Sequence, residues 1–407
     1  MYLYSFRKID TVRKGITMEN LQETIQNKVS FYRDDMITYW KDLVNYQAGS
    51  KEAQLITALL QKVADRFTKE GFTATMLDTG CAIPMLRATL GDDRQGKPIL
   101  FCGHVDTVFP SGSYPDQPFR IEDGKVYGPG CADMKGGVVM LLYVIKILTD
   151  LGYKDHPFKV VLVGDEETTH VGSRADQMLA EEAKGCLCAF NMETGRMNHV
   201  LTVARKGCMD VWIKVHGKSG HVGNAYTTSA NAIEAMAGII TKMRALTDLE
   251  KGRIVSTDVI SGGVVSNAVP DFCRIEADCR VDYNKDLEEL KTAIRAICEH
   301  LDVPNTRAEV EFPTEMPVFE KIEGNLNLLA LYNESAAEFG IEPFGPYHPG
   351  GCSDASYLAK AGIPILDSLG PEGDHAHTMQ EYAVLDSLFT RTAMLVRTIL
   401  KLTDVTL

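Results

Sequence analysis

Two histidines and several scattered carboxylates stand in this sequence where metal chemistry would need them. The apolar run 99–102 ends in Gly-His-Val-Asp-Thr-Val at residues 103–108. On an extended strand alternate side chains share a face. His104 can therefore ligate a metal while Asp106, one pleat on, accepts the proton of the other imidazole nitrogen. A histidine and an aspartate that merely cap a strand would read the same way, so this pair counts only together with others.

Asp133 lies in the glycine-rich segment Gly-Pro-Gly-Cys-Ala-Asp-Met-Lys-Gly-Gly (128–137), directly before the apolar stretch 138–148. The length of that stretch and its lack of alternation predict a buried helix. Aspartate is also a preferred helix N-cap, which is the plainer role for it there. The β-branched run 158–163 predicts a buried strand, and Asp165, Glu166 and Glu167 follow it at once. Adjacent acids raise one another's pKa, so this run is either a solvated turn or a cation site. A further apolar segment, 186–190, leads to Glu193, and another, 363–366, leads to Asp-His-Ala-His-Thr at 374–378.

Open α/β sheets gather their ligand sites outside the carboxyl ends of parallel strands. His104, Glu166, Glu167, Glu193 and His377 follow four candidate strands, and with Asp133 they offer the oxygen and nitrogen donors that two zinc ions, or cobalt or manganese, accept. The charges agree with this. Two divalent cations bring four positive charges and Asp133, Glu167 and Glu193 three negative ones, which leaves one for an attacking hydroxide. In two-metal hydrolases the ions lie roughly 3.5 to 4 Å apart and lower the pKa of the shared water towards about 7. Glu166, next to a ligand, remains as the general base that takes the water proton and passes it to the leaving amine.

The motifs GHVDTV, GPGCADMKGG, GDEETTHVGS, METG, HGKSGHVGN, GGVVSNAVPD, ADCRVD, GGCSDAS and HAHTMQEY occur in that order. Over roughly residues 36–404 the chain resembles the zinc-dependent exopeptidase and deacylase family that includes glutamate carboxypeptidase, acetylornithine deacetylase and succinyl-diaminopimelate desuccinylase. The resemblance implies that one metal is held by His104, Asp133 and Glu193, and the other by the bridging Asp133 with Glu167 and His377. Glu166 would be the base and Asp106 the support of His104. It also implies a cis peptide bond after Asp133. The spacing to Thr378 and Glu381 selects His377 over His375, and Cys131 is read as structural. His221 is implied to reach a neighbouring subunit's active site and stabilise the tetrahedral oxyanion. Asn267 and Arg280 are implied to contact substrate, Arg280 by gripping a carboxylate with its guanidinium fork. Gly351, Ser353 and Asp354 would line the substrate pocket, although Cys352 departs from the small or hydroxyl residue usual there.

The elements that must position these residues alternate between strand and helix patterns, as a parallel, helix-covered sheet requires. Helical periodicity covers 32–43 and 51–67, and from 206 the texture changes. Strands are expected at 208–215 and 272–281, with helices at 229–246 and 286–301. The expected architecture is α/β: a catalytic domain of residues 1–205 and 316–407 with a mostly parallel helix-covered sheet, and an inserted smaller α+β lid and dimerisation domain at 206–315. Helix resumes at 326–339.

At 407 residues, 45% hydrophobic and 24% charged, the composition is ordinary for a globular protein of two domains. A net charge of −13 without a basic stripe argues against nucleic acid and anionic membrane surfaces as partners. Ten cysteines, no CxxC pair and no secretory signal point to reduced thiols in the cytoplasm. Residues 1–17 lack a sustained apolar core, and Met18 is an alternative start. The function expected is cleavage of an amide next to a free carboxylate by a glutamate-carboxypeptidase-like metallopeptidase that acts as a homodimer. The alternatives are an N-acyl-amino-acid deacylase and a non-catalytic binding relative.

Overall fold

The computed structural model describes residues 18–402; the expectation for residues 1–17 lies outside them. Two compact units are present. One comprises the described residues up to Val203, Ile322–Tyr347 and those from Ala361 on; the other comprises Ala204–Lys321 and His348–Lys360. The sequence boundaries at 206 and 316 differ from this division, because 316–321 and the excursion 348–360 fall in the second unit. That excursion holds a turn and a four-residue helix, too little periodicity to mark a crossing.

The first unit is built on a six-stranded sheet in the order Thr73–Leu77, Met85–Leu90, Phe158–Val163, Ile99–His104, Cys188–Asn191, Ile365–Leu366. The last four run parallel, so their carboxyl ends share one side; the first two are antiparallel. Strands Ile99–His104 and Cys188–Asn191 are buried throughout, as continuous apolar runs demand of a sheet covered on both faces. Helix Met18–Asn45 buries Leu21, Ile25, Val29, Met36, Trp40 and Leu43, mostly four residues apart along one stripe. It packs with helices Gly136–Asp150 and Leu385–Lys401. Gly137 admits this layer to the sheet, since a Cβ there would lie 1.9 Å from the Met192 carbonyl oxygen.

A small antiparallel sheet, Gly373–Asp374, Tyr382–Val384, Lys125–Tyr127 and Arg120–Glu122, completes the unit. It changes the expected placing of His377. The parallel strand Ile365–Leu366 does not deliver this residue; the loop joining Gly373–Asp374 to Tyr382–Val384 does.

The second unit is an antiparallel sheet ordered Ile254–Gly262, Phe272–Val281, Gly207–His216, Arg307–Glu311. Buried and exposed positions alternate along Gly207–His216 and Phe272–Val281, so one face is apolar. Helices Ala232–Arg244 and Asn284–Glu299 cover that face through Met236, Ile239, Leu290 and Ile294. The first begins later than its periodicity suggests because the Asn231 side chain accepts the Ile233 and Glu234 N–H groups and caps it. Among the described residues no helix is long and apolar enough to cross a membrane.

Candidate metal centre

Side chains from four loops of the first unit converge on Asp133. Its two carboxylate oxygens face different histidines: Oδ1 lies 3.2 Å from His104 Nε2 and Oδ2 lies 3.3 Å from His377 Nε2. Glu193 Oε1 is 3.7 Å from His104 Nε2, and Glu167 Oε2 is 3.1 Å from His377 Nε2. Ligand atoms of His104, Asp133 and Glu167 all fall within 4.8 Å of one another. Each histidine thus pairs with its own glutamate and shares the aspartate.

The turn that carries Asp133 is shaped by a residue read in the sequence only as a spacing marker. Glu381 Oε1 accepts the Ala132 and Asp133 N–H groups at 2.8 and 3.0 Å, and Oε2 accepts that of Gly130 at 3.0 Å. Burial and the nearby Asp133 charge push its carboxyl up to about 7 against those three donors. Lys135, fully buried, donates to the Tyr46 carbonyl at 3.1 Å, and burial pulls its ammonium down to about 8. Trp40 Nε1 donates to the Cys131 carbonyl at 3.0 Å. Asp133 is no helix cap: the capping position of Gly136–Asp150 is Lys135, and the Asp133–Met134 peptide is cis. Cys131 Sγ donates to the Val126 carbonyl at 3.3 Å, the structural role expected of it.

Asp106 sits beneath the cluster with no solvent exposure. Its Oδ1 is 3.3 Å from His104 Nδ1, and its Oδ2 accepts the Glu167 N–H at 3.2 Å. Glu166 is half-buried beside Glu167 and close enough to Glu193 for its charge to be felt there. His375 is left outside the cluster, its ring beside that of Tyr382 at 5.9 Å between centroids.

Electrostatics show that this cluster wants positive charge. Burial, together with repulsion from Asp133, raises the carboxyls of Glu193 and Glu167. Burial opposes protonation of His104, yet its contacts with Asp106 and Asp133 hold it well above the ordinary value. Hydrogen bonds to Asp133 and Glu167 push His377 up to about 10. Acids this crowded and imidazoles this basic bind protons where a divalent cation would serve better, so the donor set fits a metal ion.

The remaining candidates lie in the second unit. His221 is exposed, and its Nδ1 accepts the Gly223 N–H at 3.2 Å. Asn267 is exposed in a turn, and its carbonyl accepts the Val222 N–H at 3.1 Å. Arg280 Nε and Nη2 form a fork on Asp278, both at 2.7 Å. The Gly351 carbonyl accepts from Arg205 Nη1 at 3.2 Å. Ser353 is buried, its Oγ accepting the Ala355 N–H at 3.3 Å, and Asp354 is buried with it.

Residues 100–401 match the model of peptidase family M20/M25/M40. A relative named carboxypeptidase G2, from Pseudomonas sp., is 29% identical over 374 residues, covering 88% of this chain and 87% of that protein. A succinyl-diaminopimelate desuccinylase of Alkalilimnicola ehrlichii is 26% identical over 347 residues, covering 81% of this chain and 90% of that protein. Among solved structures, the aminopeptidase PepT of Bacillus cereus superposes with a TM-score of 0.76 at 22% identity, covering 90% of this chain and 98% of that one. A metallo-carboxypeptidase of Sulfolobus solfataricus gives 0.69 at 18% identity, covering 90% and 99%. These two agree in fold, and the α/β architecture and the family resemblance read from the motifs are both borne out. The chain belongs to peptidase family M20/M25/M40.

Proposed function

We propose that this protein hydrolyses an amide bond next to a free carboxylate, as a dinuclear zinc carboxypeptidase of the glutamate-releasing type. The observation that carries the proposal is Asp133, whose two oxygens each face a different histidine. His104, Asp133 and Glu193 would hold one ion, and Asp133, Glu167 and His377 the other. Bound there, divalent cations supply Lewis acidity that acidifies water and polarises a carbonyl. Glu166, adjacent to a ligand without being one, takes a proton from the attacking water on a carboxylate oxygen and gives it to the departing amine. Asp106 keeps the His104 imidazole oriented through Nδ1. His221 is suited to donate to an oxyanion, because accepting at Nδ1 leaves the proton of a neutral ring on Nε2.

Similarity to carboxypeptidase G2 supports the peptidase reading, and similarity to succinyl-diaminopimelate desuccinylase supports an N-acyl-amino-acid deacylase as the second. The two share every residue named above and differ in the acyl pocket. In the second unit Arg280, Asn267, Gly351 and Ser353 are assigned to substrate. For Arg280 to grip a substrate carboxylate with its full fork it must leave Asp278. A homodimer through this unit is supported by the edge strand Ile254–Gly262, which exposes Val259 and Ile260 near the exposed Val264 and Val265. Ten free cysteines suit a reducing cytoplasm.

The test is a panel of C-terminal-glutamate dipeptides and N-acyl amino acids offered to the purified, metal-loaded protein. Turnover of acyl compounds alone would replace the peptidase reading by the deacylase. A metal-free protein inert on both sets would leave only a binding relative.

A further inference from the structure

Two cysteines far apart in sequence meet in the second unit. Cys352 Sγ donates to Cys208 Sγ at 3.3 Å. Cys208 opens the strand Gly207–His216, and Cys352 sits in the turn that precedes Ser353. Their backbones run side by side: the Lys206 N–H donates to the Pro349 carbonyl at 3.3 Å, and Cys352 Sγ also reaches the Lys206 carbonyl at 3.4 Å. Arg280 Nη1 lies 3.6 Å from Cys352 Sγ, and both thiols are partly exposed.

We propose that Cys208 and Cys352 form a peroxide-reactive dithiol, a modification site that oxidises reversibly to one disulfide and fastens the 350–353 turn to the strand Gly207–His216. Reactive cysteines are partly exposed and sit in electropositive surroundings, and the reacting species is the thiolate. The Cys352 S–H that Cys208 accepts, with the Arg280 guanidinium nearby, holds the Cys208 thiol below its ordinary value despite burial. Burial pushes the thiols of Cys131, Cys186, Cys188, Cys273, Cys279 and Cys298 the other way. Environment thus sets Cys208 apart from these six.

The Cys208 thiolate attacks one oxygen of a hydroperoxide and the O–O bond breaks. Sulfur keeps a hydroxyl, and the other oxygen leaves and is protonated to the alcohol, or to water from hydrogen peroxide. Cys352 then attacks the sulfenic sulfur: the S–S bond forms, the S–O bond breaks, and the departing hydroxide takes the Cys352 proton as water. One peroxide gains two electrons from two thiols. The sulfurs would close from 3.3 Å to the disulfide length of about 2.05 Å. A disulfide would take Cys352 Sγ from Arg280 and fix Gly351 and Ser353 in place, a consequence for catalysis that rests on the substrate role proposed for them.

The full-length, metal-loaded protein should be treated with hydrogen peroxide, alkylated and mapped without reduction. The expected product is a linked peptide joining Cys208 to Cys352, lighter by two hydrogens and restored by dithiothreitol. Cys352→Ser should stop at a dimedone-trappable sulfenic acid on Cys208, and Cys208→Ser should leave Cys352 alkylatable. No linked peptide in the wild-type protein, or earlier oxidation of another cysteine, would overturn the site whatever the substrate proves to be. For the catalytic consequence, oxidation should raise KM by roughly 10-fold with metal content unchanged. A disulfide that forms and leaves KM unaltered would overturn that consequence.

Discussion

The carboxylate of Asp106 accepts the Glu167 backbone N–H on one oxygen and faces His104 Nδ1 with the other. One buried group therefore braces a candidate ligand of each ion. Asp106→Asn keeps the shape but cannot accept on both atoms. It should weaken metal binding by roughly 10-fold to 100-fold, the usual cost of losing a partner behind a ligand. Competition against a fluorescent chelator measures this, and unchanged affinity would remove Asp106 from the role.

Glu166→Ala should retain two ions yet lose roughly 100-fold to 10,000-fold in kcat, the contribution typical of a general base. Metal analysis alongside steady-state kinetics checks both halves. A variant hydrolysing at close to the normal rate contradicts the assignment.

Asp133→Ala should empty both positions together, because each histidine meets its own oxygen of that one side chain. Equilibrium dialysis with zinc reads the stoichiometry. A single ion lost with the other retained would show that the aspartate does not bridge.

Glu381→Ala strips three N–H groups of their acceptor, and each orphaned buried donor costs about 1–3 kcal/mol. Relief of repulsion with Asp133 offsets part of this, so a net loss of about 2 kcal/mol is expected, with weaker metal binding. Urea unfolding of the loaded and chelated forms measures both effects.

Without metal the protein should lose stability as pH rises. Glu381 is raised from 4.5 to about 7, and His377 from 6.5 to about 10. A folded-state pKa above the unfolded one favours the proton-bound native form. The stabilisation is complete below the unfolded values and is lost as pH climbs through the folded ones. Melting of chelated protein should accordingly fall across pH 5–8, above which Lys135, pulled down from 10.5 to about 8 by burial, acts in the opposite sense. Added zinc should act oppositely, since it displaces the imidazole protons and binds more tightly as pH rises. A chelated form whose melting point climbs over that range would refute the electrostatic account.

Much of the first unit is legible in its sequence because buried parallel strands are continuous apolar runs, and Phe158–Val163 falls where that rule puts it. Other parts leave no such trace. The small sheet around His377 has strands of two or three residues, too short for any period. Helix Leu385–Lys401 buries Arg391, Thr392, Arg397 and Thr398, which interrupt its apolar stripe; Arg391 Nη1 donates to the carbonyls of Ser368 and Gly370. The edge strand Ile254–Gly262 is exposed along most of its length and so does not alternate. At the site, residue types and spacing bring forward the clustered histidines and carboxylates but not Glu381, whose work is done on backbone N–H groups. The Arg280–Asp278 pair is open to the same reading by spacing, since both fall in the strand expected at 272–281 and alternate residues of a strand share a face.

The small hairpin that delivers His377 would give the two proposed ions unequal mechanical backing. His104 and Glu193 come directly off fully buried central strands, whereas His377 sits in a peripheral loop held by the Tyr114 hydroxyl on the Thr378 carbonyl, at 3.2 Å, and by Glu381 on the turn that carries Asp133. Fraying at the tip of that hairpin would unseat His377 first and leave His104 and Glu193 on their strands. Stripping by a strong chelator should therefore proceed in a fast and a slow kinetic phase, with the labile ion the one nearest Glu167.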